Sequence, residues 1–451
     1  MANNLATIDD PQVRLASLEQ LVSDILSESR SKGASAAEAA VSTDSGLSAT
    51  VRLGEVETVE HHRDKSAAVT VYFGKRKGSA STSDFSPEAV RETVAAACAI
   101  ARYTAEDDYA GLADAELMAG VIPELDLYHP WSVDAEQAIE IAKEAEAAGR
   151  ADTRVTNSEG ATVSTYQGTR VYGNSHGFVG GYAATRHSNS CVLIAQDGED
   201  NMQRDYWYTV SRDAAGLEAP RAVGEHAARR TLQRLGARRV ATCQVPVIFV
   251  AEIAGGLLGN FVGAVRGGSL YRNASFLVDH LGKQIFPEFI RIHEQPHLKR
   301  ALGSAPFDNE GVATRARDIV TGGVLESYVL DSYSARKLGM QTTGNAGGVH
   351  NLRIDSGPLD LEGLVKEMGR GLLVTELMGM GVNMVTGDYS RGAAGYWVEH
   401  GEIQYPVQEI TIAGNLRDMF MNIQAVGKDV DTRGNIHTGS LLLDNMTVAG
   451  T

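Results

Sequence analysis

The strongest constraint in this chain is a switch of hydrophobic period that happens twice before residue 240. Leu15, Leu18, Leu21, Val22, Ile25 and Leu26 recur at helical spacing, and Gly33 ends the run. The pattern then becomes alternation. Leu47, Ala49, Val51 and Leu53 share one side of a strand, and Val69, Val71 and Phe73 one side of another. Helical spacing returns through Val90, Val94 and Ala97 towards Tyr103, with Ser86 as N-cap and Pro87 at the first helical position. Residues Ile122 to Pro130, with Pro and Asp, read as a linker. A third helix follows over about Val133 to Ala148. A strand-rich stretch spans 154 to 210, with turn signals at Glu159-Gly160, Gly173-Asn174 and Asp197-Gly198. A fourth helix covers about 220 to 235. Runs of strands closed by helices predict an antiparallel α+β fold, not a parallel nucleotide-binding sheet. Strands-then-helix occurs twice, but residue-level similarity between the halves is too weak to assert a duplication.

The character changes near residue 240. A buried strand, Val245 to Val250, leads into a Gly-rich segment, Ala251 to Gly268. Short strands and many glycines follow, and the clearest helix is Leu361 to Met368. With 451 residues, two or three domains are expected. We expect an N-terminal α+β domain over 1–240, divisible into two subdomains near 122–130, and a β-rich C-terminal domain over 241–451. The 48 glycines and 6% aromatics suit many tight turns in that second half.

Composition excludes several classes. At 43% hydrophobic residues the chain can bury a core, yet no apolar run reaches the roughly 18 residues of a membrane span. Met1 to Asp10 is polar and acidic, unlike a signal peptide, so a cytoplasmic protein is expected. Cys98, Cys191 and Cys243 are too scattered for a disulfide framework and read as reduced core residues. A net charge of −16 argues against a nucleic-acid surface. The basic stretch Arg229-Arg230, Arg234 and Arg238-Arg239 reads as a solvated helix end.

Three motifs stand out. His293-Glu294-Gln295-Pro296-His297 fits HExxH literally, the helical zinc-protease pattern. Pro296 between the histidines is incompatible with that helix, and Pro287 lies upstream, so the segment is read as a polar surface loop without metal. Gly344-Asn345-Ala346-Gly347-Gly348 lacks the Lys-Ser/Thr of a phosphate loop and reads as a tight turn. Gly387-Asp388-Tyr389-Ser390-Arg391-Gly392 sets a carboxylate, a phenol, a hydroxyl and a guanidinium between glycines. Such a segment suits either ligand contact or a polar turn, and its spacing identifies no reaction. No serine sits in a GxSxG elbow.

Four ordered stretches in the C-terminal half resemble the PmbA (TldE) branch of the TldD/PmbA metallopeptidase family. They are Pro306-Phe307-Asp308-Asn309-Glu310-Gly311-Val312, Ser332 to Gly339, Thr386 to Gly395, and Gln404-Tyr405-Pro406-Val407 with Glu409 to Leu416. In the TldD branch a strand leads into His-Glu-x-x-x-His, and a later Cys completes a zinc site. By this resemblance the two histidine positions fall at Ala251 and Gly256, the Glu at Glu252 and the Cys at Thr438. A zinc site needs about three protein ligands. The resemblance therefore implies a chain without metal or catalytic residues of its own, with zinc in a TldD-like partner of a heterodimer.

It further implies a proteolytic hydrolase complex acting on unfolded peptides, with Asp388, Tyr389, Ser390 and Arg391 lining a peptide-holding chamber through backbone pairing. Glu252, without metal, reads as structural. The competing reading is a stand-alone homodimeric peptide-binding or regulatory protein without hydrolysis. A nucleic-acid regulator, suggested by an older family name (modulator of DNA gyrase), is disfavoured by the charge. No nucleic acid and no membrane are expected as partners.

Overall fold

The computed structural model describes residues 10–198 and 201–450. The polar N-terminal stretch, up to Asp9, lies outside them.

Helix α1 (Pro11–Ser31) starts ahead of its apolar stripe because the Asp10 side chain accepts the Gln12 N–H at 2.8 Å and Pro11 occupies the first turn. Strands β1 (Ala36–Arg52) and β2 (Glu55–Phe73) form a long antiparallel hairpin. Its turn places Leu53 and Gly54 at positive φ, so Leu53 is an exposed turn residue and not part of the strand face expected for it. Strand β3 (Arg76–Thr82) and helix α2 (Pro87–Tyr103) complete the unit, and Ser86 Oγ caps α2 by accepting the Ala89 N–H at 3.3 Å.

The second unit repeats this order: helix α3 (Ala135–Gly149), strands β4 (Val155–Asn174), β5 (Val179–Gln196) and β6 (Met202–Ser211), then helix α4 (Pro220–Gln233). An Asp134–Gln137 capping box starts α3. The six strands form one antiparallel sheet in the order β3-β2-β1-β4-β5-β6. Each half is thus helix, three strands, helix, with the first strands adjacent at the centre: the repeat is one of topology. Leu18, Val22, Ile25, Val90 and Val94 bury one half of a sheet face, and Ala138, Ala142, Ala145, Val223 and Ala227 the other. Helices α3 and α4 touch backbone to backbone. A Cβ at Gly224 would lie 1.9 Å from the Ala145 carbonyl oxygen. Glu159-Gly160 is a bulge inside β4, not a turn, with Gly160 at φ +107°.

Residues 104–134 are more than a spacer. Ala119 N–H donates to Gly311 O, Ala313 N–H to Leu117 O and Thr185 N–H to Leu127 O, so the segment is stitched to both halves of the chain. Arg336 donates to the carbonyls of Tyr109, Gly111 and Leu112.

In the C-terminal half, strand β7 (Cys243–Phe249) runs directly into helix α5 (Ala251–Val265), followed by the single-turn helix α6 (Gly267–Leu270). This corrects the irregular Gly-rich reading of 251–268. Ala254, Leu257, Leu258, Phe261, Ala264 and Val265 are buried at helical spacing, and that burial outweighs the cost of four glycines in the helix. Strands β8 (Ile292–Glu294), β9 (Arg317–Thr321) and β10 (Val324–Leu325) precede helix α7 (Ser332–Lys337), strand β11 (Leu352–Ile354) and helix α8 (Leu361–Met368). Then come β12 (Gly371–Met378), β13 (Asp388–Glu399), β14 (Glu402–Asn415), α9 (Leu416–Met421), β15 (Ile423–Val426), β16 (Ile436–His437) and β17 (Leu441–Ala449). One sheet runs β10-β9-β8-β11-β16. The other runs β14-β13-β12-β7-β17-β15, and β14 also pairs with β17, so it curls closed around β7. Val247 and Phe249 share a core with α5, while Ile248 and Val250 share one with α8.

Cys98 and Cys191 are buried and Cys243 half-buried, all free, and burial pushes the Cys191 thiol up to about 12. Among the described residues no helix is long and apolar enough to cross a membrane.

Glu310 packs where the halves meet. Burial, reinforced by the charges of Asp308 and Asp331, raises its pKa to about 7 even though the Ser332 N–H donates to it at 3.0 Å. A carboxyl raised in the folded state contributes stability that is complete below about 4.5 and is lost as pH rises through about 7. Glu310→Gln should therefore melt with the parent at acidic pH and increasingly above it as pH rises to 8. Melting curves across pH 4.5–8 with a constant gap would contradict this.

Candidate functional site

The start of α5 is where the resemblance places the metal motif of the related branch, and the structure gathers those positions. Val250 leaves β7 in an extended conformation and Ala251 opens the helix. The Ala251 N–H donates to Ser440 Oγ at 3.0 Å. Ser440 Oγ donates in turn to Asp429 Oδ2 at 2.6 Å, and the Ser440 N–H to Asp429 Oδ1 at 3.1 Å. One of the orphan N–H groups at the helix start is thereby tied to the 429–440 segment, with a carboxylate behind it. The same segment runs along α5: a Cβ at Gly255 would lie 3.8 Å from the Ile436 carbonyl oxygen, and one at Gly259 4.0 Å from Ile436 Cδ1. Thr438 is fully buried, and its hydroxyl donates to Gly439 O at 2.8 Å. A Cβ at Gly256 would meet open space.

Glu252, in the first turn, is the one acidic side chain of the motif, and Arg230 of α4 approaches it at 3.4 Å. Arg230 and Arg234 both reach Asp205, and Arg234 also pairs with Glu376 at 2.6 Å. The basic stretch is therefore not a solvated helix end: these two guanidiniums are largely buried and neutralised by acids distant in sequence. Arg239 pairs with Glu409, and Arg238 stacks on Tyr405. Arg433 is held by Asp431 and stacks on Trp207, which also stacks on His226 and lies beneath Arg230. Burial, with the charges of Arg229 and Arg230, pulls the His226 pKa down to about 4.

The residues at Ala251, Gly256 and Thr438 do not suit zinc. A methyl, a hydrogen and a hydroxyl committed to a carbonyl stand where the resemblance places imidazole and thiolate ligands. An arginine sits against the remaining carboxylate. Among the described residues no group of three or more His, Cys, Asp or Glu has metal-binding geometry.

The HExxH-like segment is also not what its letters suggest. Ile292–Glu294 is a buried strand, which corrects the surface-loop reading. His293 Nε2 lies 3.0 Å from Asp355 Oδ1, while His297 Nε2 contacts Thr314 Oγ1 at 3.0 Å. The two rings are engaged separately. Glu294 is ion-paired at 2.8 Å to Arg317, a partner the sequence gave no means of finding. His437 is buried, and its Nε2 lies 3.1 Å from Gly434 O.

Asp388 to Arg391 form the first residues of β13 and not a loop. They pair with Asn415 to Ile412 of β14 on one edge, and Ser390 N–H donates to Gly381 O on the other. No free strand edge remains there for an added peptide. Asp388 and Ser390 are exposed, and Tyr389 is buried. Arg391 is half-buried, with its Nε unpartnered. The neighbouring 378–385 segment exposes Met378, Met380 and Val385. Gly344, Gly347 and Gly348 all have positive φ, as a tight turn demands.

Family models cover most of the chain. Residues 37–101 match PmbA/TldA metallopeptidase domain 1, residues 128–235 the central domain and residues 242–450 the C-terminal domain. The chain is 53% identical over 451 residues to the metalloprotease PmbA of Escherichia coli O157:H7, covering 100% of both. A crystal structure of a putative modulator of DNA gyrase from Bacteroides thetaiotaomicron superposes with a TM-score of 0.91 at 28% identity, over 96% of this chain and 99% of that one. The TldE structure from Thermococcus kodakarensis shares the fold at TM-score 0.80 and 22% identity, over 95% and 100%.

Ser440 joins Asp429 to the α5 start. Ser440→Ala should leave the half-buried Asp429 carboxylate and the Ala251 N–H each short of a partner and cost about 1–3 kcal/mol, read by denaturant unfolding. A loss indistinguishable from zero would show that α5 does not depend on this tie.

Proposed function

The chain belongs to the PmbA/TldA (TldD/PmbA) metallopeptidase family, and we propose that within it this chain is the TldE-type accessory subunit of a heterodimeric zinc peptidase. The observation that carries the reading is the set of side chains at the start of α5. Ala251, Gly256 and Thr438 stand where the resemblance places metal ligands, and Arg230 neutralises Glu252. Zinc then resides in a TldD-like partner, where it would activate water for peptide hydrolysis. This chain contributes walls, contacts and orientation to the chamber, and it works in the cytoplasm.

The peptide contacts assigned to this chain are Asp388, Ser390 and Arg391, with Tyr389 beneath them as a buried support. Because both edges of β13 are already paired there, these contacts are made through side chains and not through an added strand. The exposed methionines of 378–385 offer an adaptable apolar surface beside them. Such a surface suits unfolded peptides of many sequences.

Cleavage of an unstructured peptide should be absent with this chain alone and appear when it is mixed with a relative that carries intact His-Glu-x-x-x-His. Arg391→Ala should lower kcat/KM of the mixture about tenfold or more, the worth of one charge-assisted hydrogen bond. Metal-dependent cleavage by the isolated chain would overturn the reading. Peptide binding by an isolated homodimer, with no activity in the mixture, would favour a stand-alone peptide-binding protein.

A further inference from the structure

A cavity of about 360 Å3 lies between the N-terminal sheet and the C-terminal loops, within the size range of small-ligand sites. Its floor is the sheet face turned away from the helices, where the pairs Asp44–Gly168 and Arg170–Tyr182 align. Its roof comes from residues 302–309 and 346–350. Asp44 is the one carboxylate among the lining residues, and it already accepts the Tyr166 hydroxyl.

Two guanidiniums face that single acid. Arg212 donates through Nη1 to Thr185 O at 3.1 Å and through Nη2 to Leu302 O at 2.8 Å, with a longer 3.5 Å contact to Ala301 O. All are neutral carbonyls. Its Nε is buried and has no partner. Burial pulls its pKa below the usual arginine value; Tyr182 and Tyr166 partly oppose this, Arg186 adds to it, and no carboxylate is among the groups acting on it. Arg170 donates to Asn309 Oδ1 at 2.8 Å, again a neutral acceptor. Neither arginine forms an ion pair among the described residues, in a chain whose net charge is −16. A buried cation without a counter-charge is costly, and planar guanidinium forks match carboxylate and phosphate oxygens.

We propose that this cavity is an oxyanion-binding site, in which Arg170 and Arg212 hold the carboxylate or phosphate group of a small ligand. Tyr182 and Phe307, whose rings meet edge to face at 5.7 Å, supply an apolar wall for the rest of it. Arg212 also bridges the sheet to the 302 loop, so an occupied site fastens the two halves of the molecule together. The proposal is independent of where the family's zinc resides.

The test is calorimetric titration and thermal melting of the full chain with three probes: inorganic phosphate, N-acetylglycylglycine, and the C-terminal amide of that peptide. Saturable binding with a raised melting temperature is expected for at least one of the two oxyanions and not for the amide. Phosphate alone would identify a phosphate-bearing ligand, and the free acid alone a carboxylate-bearing one. Arg170→Gln, which breaks only a surface contact to Asn309, should weaken binding about tenfold. Arg212→Lys keeps the charge but loses the fork, and should weaken it as well. No saturable binding of either oxyanion, or equal binding in both variants, would overturn the proposal.

Discussion

The buried ion pair between Glu294 and Arg317 holds the C-terminal half together. Their side chains are 3% and 11% exposed and meet at 2.8 Å. Removing two charges from water is costly unless every remaining donor and acceptor is used, and here they are used. Asn345 donates to Glu294 and accepts from Arg317, the His350 N–H donates to Glu294, and Tyr328 O accepts from Arg317. Burial works to raise the Glu294 pKa, but hydrogen bonding from His350 and the Arg317 charge outweigh it and hold it low. The hub fixes β8 against β9 and sets the Gly344–Gly348 turn. From there Asn351 bonds Asn435, and the 435–440 segment reaches the first N–H of α5 through Ser440. The start of α5 is thus placed by a chain of polar contacts that begins at a buried carboxylate.

On the proposed reading, that chain of contacts keeps the frame of the α5 start in place where the family resemblance puts a metal site. The Asp429–Ser440–Ala251 tie and the packing of Phe261 and Leu257 are made wholly between protein groups. The Arg230–Glu252 pair supplies positive charge next to the remaining acid.

Much of this was legible in the sequence, and what was missed has common physical causes. Ser86-Pro87 announced α2, the alternating runs announced strands β1 and β2, and the four C-terminal motifs announced the family. Helix α5 was hidden because Gly255, Gly256, Gly259 and Gly263 depress local propensity, while the burial that stabilises it comes from strands far along the chain. Pro296 correctly excluded a zinc helix at His293. It could not reveal that Glu294 is buried, because Arg317 lies 23 positions away. The solvated reading of Arg230 and Arg234 failed for the same reason: Asp205, Glu252 and Glu376 are neighbours only in space. The doubled topology of the N-terminal sheet survives in element order and not in residue identity.

The central claim is that this subunit carries no catalytic metal, and metal content tests it most directly. The isolated chain, purified with zinc present and then dialysed, should retain far less than one zinc per chain. Stoichiometric zinc that a chelator removes, together with any peptide cleavage, would contradict the account and place the metal ligands elsewhere in this chain.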